Sequence, residues 1–326
     1  MKSFWIRTAG NKSVLEARDV PVPEPRRGEI VLRIRATALN RGEFIVGSVM
    51  HHGEPKLGGT EAAGEVSAVG PGVAGWKPGD RVMGRVIGTG GGGFAEYASM
   101  QVHQAMPVPK RLSWEQAAAV PVSFLTAYDA VIAYGHLKSG EWLLVVGASS
   151  GAGVACIQTG KAVGARVIGT SGSAEKLQKL KQAGLDVGIQ TRKPDFADAV
   201  RRATGRGANV AVNCVGGSMF PACMRSLAFG GRLGTVGYVD GAYHSEVDLQ
   251  MLHANRHVLY GISNSRLPEE GRAATVRGFA RDILPAIVDG RVTPLVDRVF
   301  SFEELPAAKD YMDSNAQVGK IVVRVA

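Results

Sequence analysis

The sequence predicts a doubly wound, parallel α/β domain that binds a dinucleotide, flanked in sequence by a β-rich, partly barrel-like domain. Three observations carry that expectation. The stretch LLVVGASSGAG (143–153) sets an apolar strand against a run of small residues and then a helix. Strands and helices go on alternating behind it as far as Gly237. Up to about Pro121, by contrast, short alternating segments are separated by Gly/Pro turns.

In chain order, Glu29 to Ala36 (EIVLRIRA) and Gly64 to Val69 (GEVSAV) alternate like half-buried strands. Pro71-Gly72, Lys77-Pro78-Gly79-Asp80 and the glycine run Gly90 to Gly93 are turn signals, the last read as a tight hairpin connection rather than a mobile lid. Leu112 to Ala133 turns helical, with Ser113 and Gln116 as a capping box. Pro121 interrupts that run and marks the crossing into the second domain.

Trp142 to Val146 reads as a buried parallel strand. The turn Gly147 to Gly153 follows, then a helix ending near Gly164. Such a turn aims backbone N–H groups at a phosphate, where the helix dipole favours negative charge. Against G-x-G-x-x-G the chain offers Ala148-x-Ser150-x-x-Gly153, so only the third glycine survives. Taken alone, small residues there also serve packing; the repeating unit turns the balance to a dinucleotide. Its further strands are Ala165 to Gly169, Val187 to Ile189, Val210 to Val215 and Arg232 to Gly237, with helices at 174–183, 195–203 and 219–228. The tail reads as a strand near His257 to Ile262, a long helix from Pro268 to about Asp289, and a strand from Val296 to Phe300. A helix through Met312 follows, with Ser301 and Glu304 as its capping box. The last strand, Lys320 to Val325, has no local partner and is expected to return to the first domain. The domains are then 1–121 with 264–326, and 122–263, with the cleft between them as the default ligand site.

The end of the second strand selects the dinucleotide. An NAD site places Asp or Glu there to hold ribose hydroxyls. Here stand Thr170 and Ser171, then Gly172, Ser173 and Lys176, with Arg192 after the third strand as a second cation. Hydroxyls, an open turn and cations accept a 2′-phosphate that a carboxylate repels, so NADPH is expected. A lone Lys176 would read as a solvated helix residue; the missing acid changes that.

With 45% apolar and 21% charged residues the chain is an ordinary globular protein. No apolar run reaches the roughly 20 residues of a membrane span, and MKSFWIRTAG has no signal-peptide core. Cys156, Cys214 and Cys223 form no C-x-x-C pair and read as reduced thiols of a cytoplasmic protein. The net charge of +9 is spread rather than clustered with aromatics, which disfavours nucleic acid and suits a phosphorylated cofactor.

The segments ALNRGE (38–43), GGTEAAGEVSAVG (58–70), WKPGDRVMG (76–84), GGFAEYA (92–98), VPVSFLTAYDAV (120–131), VVGASSGAGVACIQTGKAVGARVIGT (145–170) and GKIVV (319–323) together resemble the medium-chain dehydrogenase/reductases. Within them the chain is most similar to the zinc-free quinone oxidoreductases related to zeta-crystallin. The resemblance implies a Rossmann-type domain beside a GroES-like one, NADPH as cofactor, a small quinone or enone acceptor and a homodimer. By position, Asn40 and Thr60 replace the cysteine and histidine that hold catalytic zinc in alcohol dehydrogenases, and the four-cysteine zinc lobe is missing. An amide and a hydroxyl are poor zinc ligands, so no metal is expected. The resemblance puts Asn40 and Thr126 beside the nicotinamide, and Ala148, Ser149, Ser150, Gly151, Ala152, Gly153, Gly237 and Tyr238 along the cofactor, with Gly319 and Lys320 closing over it. As plain structural residues, Asn40 would be a turn residue and Thr126 would bond its own helix.

Without a metal to polarise a carbonyl, a conjugated acceptor that spreads the incoming charge is the fitting substrate. An enoyl-thioester or enone reductase, or a non-catalytic NADPH-binding protein, is the alternative. Relatives often show N-x-x-D and then R-x-G-x-Y; this chain has Asn40-x-x-Glu43 and then Gly47-Ser48-Val49-Met50-His51. His51 becomes a candidate general acid, weighed against an ordinary loop histidine.

Overall fold

The computed structural model describes residues 1–10, 12–45, 55–86, 92–264 and 266–325. Gly47 to Met50, His51, His52, Gly90 and Gly91 lie outside the described residues. Two compact units form: Met1–Val122 with Leu267–Ala280 and Thr293–Ala326, and Ser123–Arg266 with Arg281–Val292.

The first unit opens with β1 (Lys2–Ala9) and β2 (Lys12–Asp19), an antiparallel hairpin absent from the sequence reading. Its buried face carries polar residues, Ser3 and Ser13, so the apolar alternation that would announce it is broken. Then come β3 (Glu29–Ala38), β4 (Lys56–Leu57), β5 (Glu61–Val69), β6 (Arg81–Arg85), β7 (Tyr97–Gln101) and β8 (Ala105–Pro107). The expected run from Leu112 to Ala133 is three pieces. Helix α1 (Trp114–Ala118) starts at the Ser113–Gln116 capping box, α2 (Pro121–Tyr128) restarts at the proline, and a π-helical turn, Asp129–Ala133, closes the run.

In the second unit β9 (Trp142–Val146) is buried throughout and leads into α3 (Gly151–Ala162). There follow β10 (Arg166–Ser171), α4 (Ala174–Gln182), β11 (Val187–Gln190), α5 (Ala197–Thr204), β12 (Ala208–Asn213), α6 (Phe220–Arg225), β13 (Leu227–Thr235), α7 (Leu249–Ala254) and β14 (Val258–Gly261). All six strands are parallel, in the order β11-β10-β9-β12-β13-β14. The order reverses beside β9, which makes the ends of β9 and β12 the switch point of a doubly wound sheet. Strand β13 begins earlier than expected: the ladder passes from Ala208↔Leu227 to Val210↔Arg232, so residues 228–231 bulge out of it, with Gly230 at φ 68°. The bulge hides the strand's start behind Phe229-Gly230-Gly231, which reads as a turn.

The long helix expected over 268–289 is α8 (Glu269–Asp282) and α9 (Leu284–Val288). Pro285, in the first turn of α9, has no N–H to continue α8, so the axis breaks at Ile283. The chain then forms β15 (Val296–Ser301), α10 (Leu305–Asp313) and β16 (Lys320–Arg324). Ser301 and Glu304 do pair, through Ser301 N and Oγ to Glu304 Oε2, both at 2.9 Å. They close the turn before α10, whose N-cap is Glu304 itself, so the pair is not that helix's capping box.

The returning β16 sits inside the sheet β15-β16-β3-β5-β6-β8, parallel to β15 and antiparallel to β3, with Val323 facing Thr37. Its apolar face joins Ile30, Leu32, Ile34, Val66 and Met100 in the core of the first unit. No helix among the described residues is long and apolar enough to cross a membrane.

Candidate active site

In the second unit, the turn after β9 is held from behind. Gly147 has φ 82°, a conformation that suits only glycine well. The Gly147 N–H donates to Thr170 Oγ1 at 3.3 Å, and the Ala148 N–H donates to the Thr170 carbonyl at 3.0 Å. Thr170 is buried, and its hydroxyl serves the turn. Ser150 caps α3: its Oγ accepts from the Gly153 N–H at 3.0 Å and donates to the Gly147 carbonyl at 2.9 Å. Of the first helical N–H groups, those of Gly151 and Ala152 have no hydrogen-bond partner among the described residues. A Cβ on Gly153 would stand 2.5 Å from the Gly147 carbonyl oxygen and 2.8 Å from Ala148, so the helix lies this close to the turn only because the residue is glycine.

At the end of β10, Ser171 is buried and Ser173 caps α4 through the Lys176 N–H. The exposed Arg192 side chain lies across Gly172 so closely that any Cβ there would collide with its guanidinium. The structure thus brings Ser171, Gly172, Ser173 and Arg192 together, with Lys176 on the first turn of α4. At the end of β12, Asn213 accepts from the Val215 and Gly216 N–H groups and donates to the Gly216 carbonyl. Beyond β13, a Cβ on Gly237 would meet the Cys214 carbonyl oxygen at 3.7 Å, and the Tyr238 ring packs on Tyr243 at 4.9 Å. Thr126, on α2, accepts from Asn264 Nδ2 at 3.1 Å, so its hydroxyl bonds a side chain. Asn264 was not legible in the sequence; nothing in its local pattern separates it from a loop asparagine.

The first unit holds a polar cluster that the sequence reading saw only in parts. Lys320 is buried, and its Nζ donates to Leu39 O at 2.9 Å, Asn40 Oδ1 at 2.7 Å and Glu61 Oε1 at 2.8 Å. An ammonium has three donors, and all are used. Expected to close over the cofactor, the Lys320 amine is instead enclosed in this network. Glu61, fully buried, also accepts from Asn40 Nδ2 at 2.8 Å and from the Val122 N–H at 2.7 Å. Asn40 Nδ2 further reaches Glu43 Oε1 at 2.9 Å, and the Thr60 hydroxyl hydrogen-bonds that same oxygen. Burial pushes the Glu43 carboxyl up to about 7, against the opposing hydrogen bonds from Thr60 and Asn40 and with Glu61 adding to the rise. A signal was available: Glu61 and Lys320 each open a strand whose next three residues are apolar, EAAG and KIVV, where a buried charge has to be paired.

The comparisons place the chain among known proteins. The model described as "Alcohol dehydrogenase GroES-like domain" matches residues 26–110, and that described as "Zinc-binding dehydrogenase" matches 151–277. Human quinone oxidoreductase is 31% identical over 242 residues, 73% of either chain. A mycobacterial protein solved in complex with NADPH is 28% identical, with TM-score 0.87 over the whole of both chains. A structure described as an NAD-dependent alcohol dehydrogenase is 30% identical with TM-score 0.85, again over both whole chains. The zinc-named model matches outside the cluster of Asn40, Glu43, Thr60, Glu61 and Lys320, in which the ammonium hydrogen-bonds Leu39 O, Asn40 Oδ1 and Glu61 Oε1. Among the described residues, no three His, Cys, Asp or Glu gather as a metal site.

The buried Glu43 carboxyl implies a pH signature. Its folded pKa lies above the unfolded value of 4.5, so the stability it contributes is full below pH 4.5 and is lost as pH rises to about 7. Relative to Glu43→Gln, the parent should lose roughly 3 kcal/mol between those limits, at about 1.36 kcal/mol per unit. Chemical denaturation of both proteins at pH 4.5, 6 and 8 checks this. A constant difference would mean that Glu43 titrates as an ordinary surface acid.

Proposed function

Because the chain belongs to the medium-chain dehydrogenase/reductase family, an oxidoreductase family, we propose that it uses NADPH to reduce a quinone or another conjugated carbonyl without a metal. The observation that carries the cofactor half is the end of β10. Hydroxyls and a glycine stand where an acid would hold ribose, and Arg192 lies over that glycine. The pyrophosphate is assigned to the open N–H groups of Gly151 and Ala152, and the 2′-phosphate to Ser171, Ser173, Lys176 and Arg192. When bound, the nicotinamide supplies hydride; the chain supplies position and charge. Asn40 and Thr126 are proposed to hydrogen-bond the nicotinamide or the acceptor oxygen, and Gly237 and Tyr238 to border the cofactor. The acceptor half is supported by the likeness to human quinone oxidoreductase. A cluster with no Lewis acid at its centre also favours acceptors whose conjugation carries the developing charge.

An NAD-dependent structure among the neighbours makes cofactor choice the decisive test. Titrated by nicotinamide fluorescence, NADPH should bind more tightly than NADH. Arg192→Ala should cost NADPH about tenfold or more, in line with roughly 1.5–3 kcal/mol per charge-assisted hydrogen bond, and leave NADH nearly unchanged. Equal loss for both would remove the 2′-phosphate assignment.

Turnover with quinones and enones should survive exhaustive chelation, and metal analysis of the purified protein should find no stoichiometric zinc. Inactivation that added zinc reverses would overturn the metal-free reading.

We further assign the protein to a homodimer in a reducing cytoplasm, where Cys156, Cys214 and Cys223 stay as the buried free thiols they are. Support for the dimer is the outer strand β14, one edge of which has no partner strand among the described residues, with Val258 51% exposed. Sedimentation equilibrium should give twice the chain mass of 34.3 kDa for the parent, and the chain mass for Val258→Lys. A monomeric parent would discard the assignment.

A further inference from the structure

The cluster around Lys320 contains two carboxylates, Glu43 and Glu61, and one ammonium. Lys320 spends its three donors on Leu39, Asn40 and Glu61. Glu61 accepts on both oxygens, from Lys320 and Asn40 on one and from the Val122 N–H on the other. That ion pair is balanced and has no proton to lend. Glu43 is the second carboxylate of the cluster, and it is as enclosed as the pair, at 2% exposure. Among the described residues, the charged groups facing it include Glu61 from β5, Lys320 from β16 and the half-buried Lys56 from β4. Arg41, on its own turn, is directed away to Met312 O and Asn315. Burial first, and Glu61 beside it, make Glu43 the carboxyl of this cluster that takes up a proton as pH falls through about 7, while Asn40 and Thr60 hold its Oε1.

Two neighbours of Glu43 are half-buried rather than enclosed, Asn40 and Thr60, and both hydrogen-bond its Oε1. An amide cannot release one proton while taking up another. A hydroxyl can, because its oxygen both donates and accepts. The only such group on Glu43 among the described residues is Thr60, whose oxygen also accepts from Asn40 Nδ2 at 3.3 Å.

We propose that the Thr60 hydroxyl delivers the proton that completes reduction of the acceptor, drawing its replacement from the Glu43 carboxyl behind it. The proposal rests on the reading of this protein as a reductase of conjugated carbonyls. An acceptor that has taken hydride from a reduced nicotinamide at carbon carries the displaced electron pair on its carbonyl oxygen. That oxyanion forms an O–H bond as the Thr60 O–H bond breaks, and the Glu43 proton restores the hydroxyl. Glu43 is left as the carboxylate and is reprotonated from water between turnovers. Thr60 is the catalytic residue here. Asn40, bonded to both carboxylates and to Lys320, is a positioning residue: it holds Glu43 Oε1 against the hydroxyl. Lys320 acts at one remove, by pairing with Glu61.

The test pairs kinetics with a spectroscopic titration of the protein itself. With phenanthrenequinone and methyl vinyl ketone as acceptors, Thr60→Val should lower kcat about 10²-fold or more, the low end of what general-acid catalysis contributes, with KM for NADPH unchanged. Thr60→Ser, which restores a hydroxyl, should recover most of the rate. The parent's solvent deuterium effect on kcat should disappear in Thr60→Val. In pH-difference infrared spectra, a protonated-carboxyl band should vanish as pH rises through about 7, be absent from Glu43→Gln, and shift its midpoint in Thr60→Val. Parent-like turnover by Thr60→Val, failure of Thr60→Ser to rescue, or a titrating band that persists in Glu43→Gln would each overturn the relay. A parent that reduces neither acceptor would overturn the activity reading instead, and the infrared titration would still decide whether Glu43 holds the proton.

Discussion

The ion pair between Lys320 and Glu61, 2.8 Å long with both side chains at most 5% exposed, is the constraint on which the first unit depends. Removing two charges from water costs more than their attraction returns unless the remaining donors and acceptors are satisfied. Here they are. The ammonium is completed by Leu39 and Asn40 at the end of β3, and the carboxylate by Asn40 and by the Val122 N–H at the start of α2. Four segments of the chain, after β3, on β5, at the start of α2 and on β16, are thereby fixed to one another. Truncating either partner leaves the other charge buried and alone, a loss of about 3–5 kcal/mol. The returning strand is thus held twice, by its ladder to β3 and by its first residue.

The two units present their polar groups by different means. The second offers backbone: open N–H groups at the start of α3, held in place by Thr170 and Ser150 from behind and by the absence of a Cβ at Gly153. Such a site needs little from side-chain identity, which is why Ala148 and Ser150 can stand where glycines are the rule. The first unit offers side chains whose protonation is set by burial and by each other. Replacing one member there changes the charge balance of all the rest.

That difference decides what could be read from the sequence. The parallel sheet announces itself through β9, five buried apolar residues ahead of a small-residue turn, and the return of β16 through its lack of a local partner. The hairpin of β1 and β2 stayed hidden because Ser3 and Ser13 interrupt its buried face, and the break between α8 and α9 because periodicity runs straight through Ile283. Ser171, Gly172 and Arg192 were legible as a group because chemistry and chain order coincide there. Asn40, Glu43, Glu61 and Lys320 were not, since the contacts that give them meaning span up to 281 positions. The flanking residues show that a buried charge must be paired; they do not show with what.

A monovalent ammonium at the centre of the cluster has a chemical consequence of its own. It carries half the charge of a zinc ion and, with its three donors spent, has no site left for a substrate oxygen. In the proposed reduction, electrostatic stabilisation of a developing oxyanion would fall to neutral donors, an amide or a hydroxyl, which are weaker than a metal and stronger when water is excluded. Those donors suffice only if the acceptor spreads its own charge, as a quinone or enone does and an isolated ketone does not. Beside that pair, burial raises the Glu43 carboxyl to about 7, so that near neutral pH it can both hold and release a proton inside the fold. Hydride acceptance by a conjugated carbonyl and delivery of one proton are complementary halves of one reduction, and the Lys320 charge balance suits both.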